Sequence, residues 1–148
     1  MSALNPRPII FPLSNPVRLS ECEFTEAVEW SGGRAIFASG SPFPEQDYNG
    51  RTLYPGQGNN MYVFPGLGLG AIISRAKSVT DSMVEAASLG LANSLTKEER
   101  DLDLIYPRIE RIREISGEIA RSVIRAAQKE VRSVLFQHVR LSGLILYL

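Results

Sequence analysis

The chain has 148 residues, 44% of them apolar, which is long enough to bury one core and too short for two full-sized domains. Sixteen Lys and Arg residues balance sixteen Asp and Glu residues, so no net field draws nucleic acid or an anionic membrane surface, and neither is expected as a partner. Cys22 is the single cysteine, which excludes an internal disulfide and favours a reducing, intracellular compartment; residues 1–8 show neither a secretory signal nor the Arg-rich pattern of a transit peptide.

Residues 8–13 (PIIFPL) form a short apolar run closed by Ser14, Asn15 and Pro16, the pattern of a buried strand ending in a turn. Asn15 then stands at the strand's carboxyl end, where open parallel sheets gather ligands, and its amide serves either a ligand or the turn backbone. Ser20 and Glu23 read as a capping box before a helix over 25–30, stopped by Ser31, Gly32 and Gly33. Residues 35–38 (AIFA) make a second small strand followed by a turn at 39–42, which completes one βαβ unit. Two parallel strands do not make a stable sheet, so a further partner is expected.

Residues 37–73 hold more than half of the twelve glycines, together with the adjacent amides Asn59 and Asn60. Such a stretch indicates a pocket built from backbone and amide groups, and it does not name the ligand. Asn49 and Gly50 predict a tight hairpin over 48–53; with Asp47 they make too few ligands for a calcium loop. Residues 61–76 are apolar nearly all round and predict a buried helix with its N-terminus aimed at the loop 56–60. Gly66, Gly68 and Ala71 satisfy the G-x-G-x-x-A of a dinucleotide turn, with Asp81 or Glu85 as the ribose carboxylate. Pro65, the short preceding run and the missing second strand favour instead a helix packed closely on a neighbour.

Thr80 caps a helix to about Asn93, with Met83, Val84, Ala87, Leu91 and Leu95 at helical spacing. Thr96 and Glu99 form a second capping box, and the acidic run Glu98, Glu99, Asp101, Asp103 is accounted for by a helix N-terminus rather than a metal. After Pro107, the residues Ile109, Ile112, Ile115, Ile119, Val123, Ala127 and Val131 make one apolar stripe, with Glu110–Arg113 and Glu118–Arg121 as exposed pairs. Residues 133–148 are apolar, hold the one histidine, His138, and are too short and interrupted to span a bilayer. No Cys–His or Ser–His–Asp set, no G-x-S-x-G elbow and no metal-ligand spacing emerges.

Four motifs in this order, LSNP at 13–16, FASGSPF at 37–43, PGQGNNMYVFPG at 55–66 and LIYPRI at 104–109, resemble the malic enzymes over about residues 7–131. The resemblance implies an α/β fold: the C-terminal part of a Rossmann-like NAD-binding domain, short parallel strands followed by several helices, over 1–132, with 133–148 a divergent apolar tail. It implies oxidative decarboxylation of L-malate to pyruvate and CO2 with NAD or NADP and Mg or Mn. The family's catalytic tyrosine and lysine, its malate-holding arginine, its metal carboxylates and its Gly-rich dinucleotide turn match nothing here. No catalytic or metal-ligating residue is therefore assigned, and the chain alone is expected to be inactive. By the same resemblance Asn15, Asn59 and Asn60 bind malate, and Ser39 and Gly40 lie near the cofactor. A neutral amide suits that role, donating to a carboxylate without fixing a counter-charge. The intact family implies a homo-oligomer, cytoplasmic or mitochondrial. Two readings follow: part of an NAD(P)-dependent malic enzyme, or a non-catalytic module that assembles with a malic enzyme subunit through its sheet edge and the stripe over 109–131.

Overall fold

The computed structural model describes residues 1–130, so the tail at 133–148, His138 and Val131 lie outside the described residues. The elements are β1 (Ile9–Ile10), α1 (Phe24–Ser31), β2 (Ile36–Ser39), β3 (Gln46–Tyr48), β4 (Arg51–Leu53), β5 (Gly56–Gln57), α2 (Phe64–Ile73), α3 (Asp81–Asn93), α4 (Lys97–Asp101) and α5 (Ile112–Lys129). They fall into two compact units, one of Met1–Asn60 with Ser94–Ile109 and one of Met61–Asn93 with the chain from Glu110 onward.

The first unit is an α/β layer. Its sheet runs in the order β1-β2-β5, all parallel, with Ile9 opposite Ile36, Ile10 opposite Phe37, Ala38 opposite Gly56 and Ser39 opposite Gln57. The strand predicted over 8–13 is correct in place and short in pairing, because Pro8 and Pro12 have no N–H to donate. Their carbonyls still accept from Ile36 N at 2.9 Å and Gly40 N at 3.1 Å, so the run stays alongside β2 to its end. The expected further partner is β5, the Gly56–Gln57 segment. It went unread because it carries no apolar side chain. A Cβ on Gly56 would lie 2.7 Å from Ile105 Cγ1, so the close approach of this strand to the chain at 105 requires glycine.

Helix α1 covers the sheet. Phe24, Ala27 and Val28 bury with Phe37, and the Phe24 and Phe37 rings meet at 5.0 Å between centroids. Its capping box is Glu23 with Glu26 rather than Ser20 with Glu23: the Glu26 carboxylate accepts from Glu23 N at 2.8 Å, while the Ser20 hydroxyl donates to the Cys22 carbonyl. The Asn49–Gly50 hairpin forms as expected, β3 antiparallel to β4, with φ of 49° and 75° at the two central residues. The Thr96 and Glu99 box at α4 also forms.

The second unit is helical. The helix expected over 61–76 opens with a 3-10 turn at Asn60–Tyr62 and continues as α2, Phe64–Ile73. Gly66 and Gly70 lie against α5, where added Cβ atoms would stand 2.6 Å from Ile119 Cβ and 2.7 Å from Val123 Cβ. The expectation of a buried helix is corrected: Phe64 is 61% and Ile72 75% exposed, because only the glycine side of this all-apolar helix is covered. On α5 the stripe is real from Ile115 through Ile119 and Val123 to Ala127, all buried. It does not include Ile109, which sits in a 3-10 turn and is exposed. That turn also shifts the first ion pair to Arg111–Glu114 at 3.0 Å, while Glu118–Arg121 stands at 3.6 Å.

Candidate functional site

Three turns leave the carboxyl ends of β1, β2 and β5, and hydrogen bonds tie them into one cluster. Asn15 follows the first strand, Ser39, Gly40 and Ser41 close the second, and Gly58, Asn59 and Asn60 follow the third. The Ser41 hydroxyl donates to Asn15 Oδ1 at 2.5 Å, the Ser39 hydroxyl to the Ser41 carbonyl at 2.6 Å, and Gly58 N to the Ser39 carbonyl at 2.9 Å. The parallel register brings about this convergence, since Ser39 and Gln57 are opposite one another, β2 and β5 run directly into their turns, and the run after β1 stays beside β2 as far as Pro12. Asn15 and Asn60 are exposed and Asn59 is half-buried.

Close packing fixes the cluster. A side chain at Gly40 would begin 2.3 Å from the Leu13 carbonyl oxygen and 2.9 Å from Asn15 Nδ2, so only glycine lets the two turns lie against each other. A side chain at Gly58 would approach Leu13 Cδ2 at 3.2 Å and the Tyr106 hydroxyl at 3.6 Å. Glu99, only 3% exposed, ties the chain just after Tyr106 back to the start of α4, its carboxylate accepting from Thr96 N at 2.8 Å and Arg108 N at 2.9 Å. Two residues of the acidic run have structural partners: Glu99 caps α4, and Asp103 pairs with Arg7 at 3.1 Å and Arg51 at 3.3 Å.

Of the residues singled out from sequence, Asn15, Ser39 and Gly40 stand together, and the turn bearing Asn59 and Asn60 is bonded to them. Ser39 is 1% exposed with its hydroxyl spent on Ser41, and Gly40 N is spent on Pro12, so both shape the turn. The bond from Ser41 to Asn15 and the place of Tyr106 beside Gly58 were not foreseen. A serine in a Gly-Ser-Pro turn reads as turn chemistry, and Tyr106 precedes a proline in a loop without periodicity; both nevertheless lie within the quoted motifs.

The cluster's polar side chains are amides and hydroxyls, so it offers directed neutral hydrogen-bond donors. The groups whose titration the fold shifts lie elsewhere. The Ser14 hydroxyl holds Glu21 below the usual carboxylate range, the helix-start N–H of Glu98 and then Thr96 do the same for Glu98, and burial followed by the Glu26 and Glu21 charges pushes the Cys22 thiol up. Among the described residues no three His, Cys, Asp or Glu side chains form a group that could hold a metal ion. The G-x-G-x-x-A run does not fit a dinucleotide phosphate either, because Gly66, Gly68 and Ala71 all lie inside α2 and Gly66 is pressed against α5. A cavity of about 660 Å³ opens near the amino ends of β1 and β2, bordered by Arg7, Arg34 and Arg51, and none of the three asparagines lines it. No helix among the described residues is long and apolar enough to cross a membrane.

Open parallel α/β sheets commonly take small ligands outside the carboxyl ends of their strands, which is where these amides and hydroxyls gather. The family described as "Malic enzyme, NAD binding domain" matches residues 1–128, and the chain belongs to it. It is 53% identical over 127 residues to an NADP-dependent malic enzyme of Vitis vinifera, covering 86% of this chain and 22% of that protein. The corresponding enzyme of Dictyostelium discoideum is 51% identical over 124 residues, covering 84% and 23%. A chloroplastic one of Zea mays is 52% identical over 123 residues, covering 83% and 19%. The chain thus spans about a fifth of the length of the curated relatives it matches.

Proposed function

We propose that this chain supplies the malate-holding edge of a malic enzyme, which oxidises L-malate with NAD or NADP and releases pyruvate and CO2 with Mg or Mn. Asn15 and Asn59 donate to the carboxylates of the diacid from two different strand ends, with Asn60 beside them, and Ser39 and Gly40 set the turn on the cofactor side. The supporting observation is the bonded cluster of strand-end turns, Asn15 to Ser41, Ser41 to Ser39 and Ser39 to Gly58, in a chain of this family. Two neutral donors from separate elements orient a small diacid and leave its charge to be matched elsewhere. The family's catalytic and metal-binding residues match nothing in this sequence, so no step of the reaction is assigned to it.

The relatives' names favour NADP, and the family description leaves NAD open. The compartment is cytoplasmic, mitochondrial or, as some relatives' names suggest, chloroplastic, and the intact assembly is a homo-oligomer by family analogy. The test exchanges residues 1–130 for the corresponding segment of the Vitis vinifera relative. Retention of malate-dependent NADP reduction supports the reading; a folded chimera without it contradicts the reading.

The second reading, a non-catalytic module that assembles with a malic enzyme subunit, now rests on α2, whose Phe64, Leu69, Ile72 and Ile73 are exposed. The stripe on α5 is not its interface, since it is buried against α2 and α3.

A further inference from the structure

We propose that Ser41 is the positioning residue of Asn15, holding its amide in the one orientation that serves an anionic ligand. The inference rests on the malate reading above and adds to it a specific restraint. A carboxamide has two unlike ends: Oδ1 accepts and Nδ2 donates twice. A surface asparagine free to turn about its last torsion presents the accepting end to an incoming carboxylate for part of the time, and that end repels it. Here the Ser41 hydroxyl donates to Asn15 Oδ1 at 2.5 Å, which occupies the accepting end. The donating end is then the one left to face a ligand.

Ser41 is itself held. It is 5% exposed, and its carbonyl accepts the Ser39 hydroxyl at 2.6 Å, while the Ser39 carbonyl accepts Gly58 N at 2.9 Å. The restraint on Asn15 is therefore anchored in β2 and continues to the residue before Asn59, so one bonded chain sets both amide-bearing turns. Gly40 completes it by absence of a side chain, since a Cβ there would stand 2.9 Å from Asn15 Nδ2 and push the amide away. The bond lies within one unit and joins side chains 26 residues apart, which makes it a tertiary restraint rather than local turn chemistry. Pre-setting a donor in this way removes the ordering cost at binding.

The test uses the full 148-residue chain labelled with ¹⁵N, reading the Asn15 Nδ2 group by NMR without ligand and during titration with L-malate. In the unaltered chain the group is ordered on the fast timescale and shifts with malate. Ser41→Ala leaves the backbone spectrum in place, makes that group mobile, and weakens malate about tenfold, the loss expected for a donor to a charged group. Asn15→Asp keeps a partner for the Ser41 hydroxyl but removes both donors, and malate binding at this site is lost. Ser41→Ala with an equally ordered Asn15 amide and unchanged malate affinity overturns the proposal. An unaltered chain with an ordered Asn15 amide but no malate response overturns the malate reading instead, because the ligand-free order reports the restraint by itself.

Discussion

Adding a methyl group in turn at Gly66, Gly68 and Gly70 separates a packing seam from a phosphate cradle. At Gly66 the new carbon would stand 2.6 Å from Ile119 Cβ, 2.7 Å from its Cγ2 and 2.7 Å from the Ser116 carbonyl oxygen. At Gly70 it would stand 2.7 Å from Val123 Cβ and 3.0 Å from the Ala120 carbonyl oxygen. Optimal carbon contacts lie near 3.5–4.0 Å, so each substitution is short by about 1 Å against backbone and backbone-proximal atoms that cannot swing aside. Overpacking of this kind costs about 1–3 kcal/mol, and the helix-propensity gain of Gly to Ala returns about 1 kcal/mol. Net destabilisation of up to about 2 kcal/mol is therefore expected for Gly66→Ala and Gly70→Ala. Gly68 meets nothing within 4 Å, so Gly68→Ala is expected to stabilise by up to about 1 kcal/mol. Urea unfolding followed by circular dichroism, with slopes compared across the three variants, gives the values. A dinucleotide turn would make Gly68 the least tolerant of the three, because the backbone there approaches the pyrophosphate. Finding Gly68→Ala as damaging as Gly66→Ala would refute the packing account.

Three further outcomes are expected. Glu99→Ala leaves the Thr96 and Arg108 N–H groups without their acceptor and should destabilise the first unit by about 2–4 kcal/mol in the same unfolding assay, whereas an effect under about 0.5 kcal/mol would show the carboxylate to be dispensable. Cys22, its thiol pushed up by burial and then by Glu26 and Glu21, should react with an aromatic disulfide at pH 8 more slowly than in urea; equal rates would contradict that environment. The purified chain alone, with Mn present, should show no malate-dependent reduction of NAD or NADP, and measurable turnover by a pure sample would overturn the assignment of catalytic groups away from the described residues.

What was legible in the sequence was what local chemistry dictates. Asn49–Gly50 requires positive φ at both residues and becomes the β3–β4 turn, Thr96 and Glu99 cap each other, and isoleucine and valine at helical spacing bury the face of α5. β5 was illegible because Gly56 and Gln57 carry no strand pattern; their pairing is imposed by β2 and by the close approach of Ile105 and Tyr106. The covered side of α2 was illegible for a related reason. An all-apolar helix has no periodicity to show which face packs, and here the packed face is made of glycines. At the candidate site the amides could be read from motif, but the hydroxyl that orients Asn15 could not, since it acts across 26 residues.

The central claim, that strand-end amides hold the diacid, is tested most directly at Asn59 in the chimera with the Vitis vinifera relative. Asn59→Ala is expected to raise the malate KM and lower kcat/KM by about ten- to hundredfold, the loss of about 1.5–3 kcal/mol for a donor to a charged group, with the NADP KM nearly unchanged. Asn59→Ser and Asn59→Asp, which keep the capping ability of the residue before the 3-10 turn at Asn60–Tyr62, should fail to restore it. Restoration of malate kinetics by Asn59→Ser would contradict the account, because a residue that only caps the following turn is the one that serine replaces.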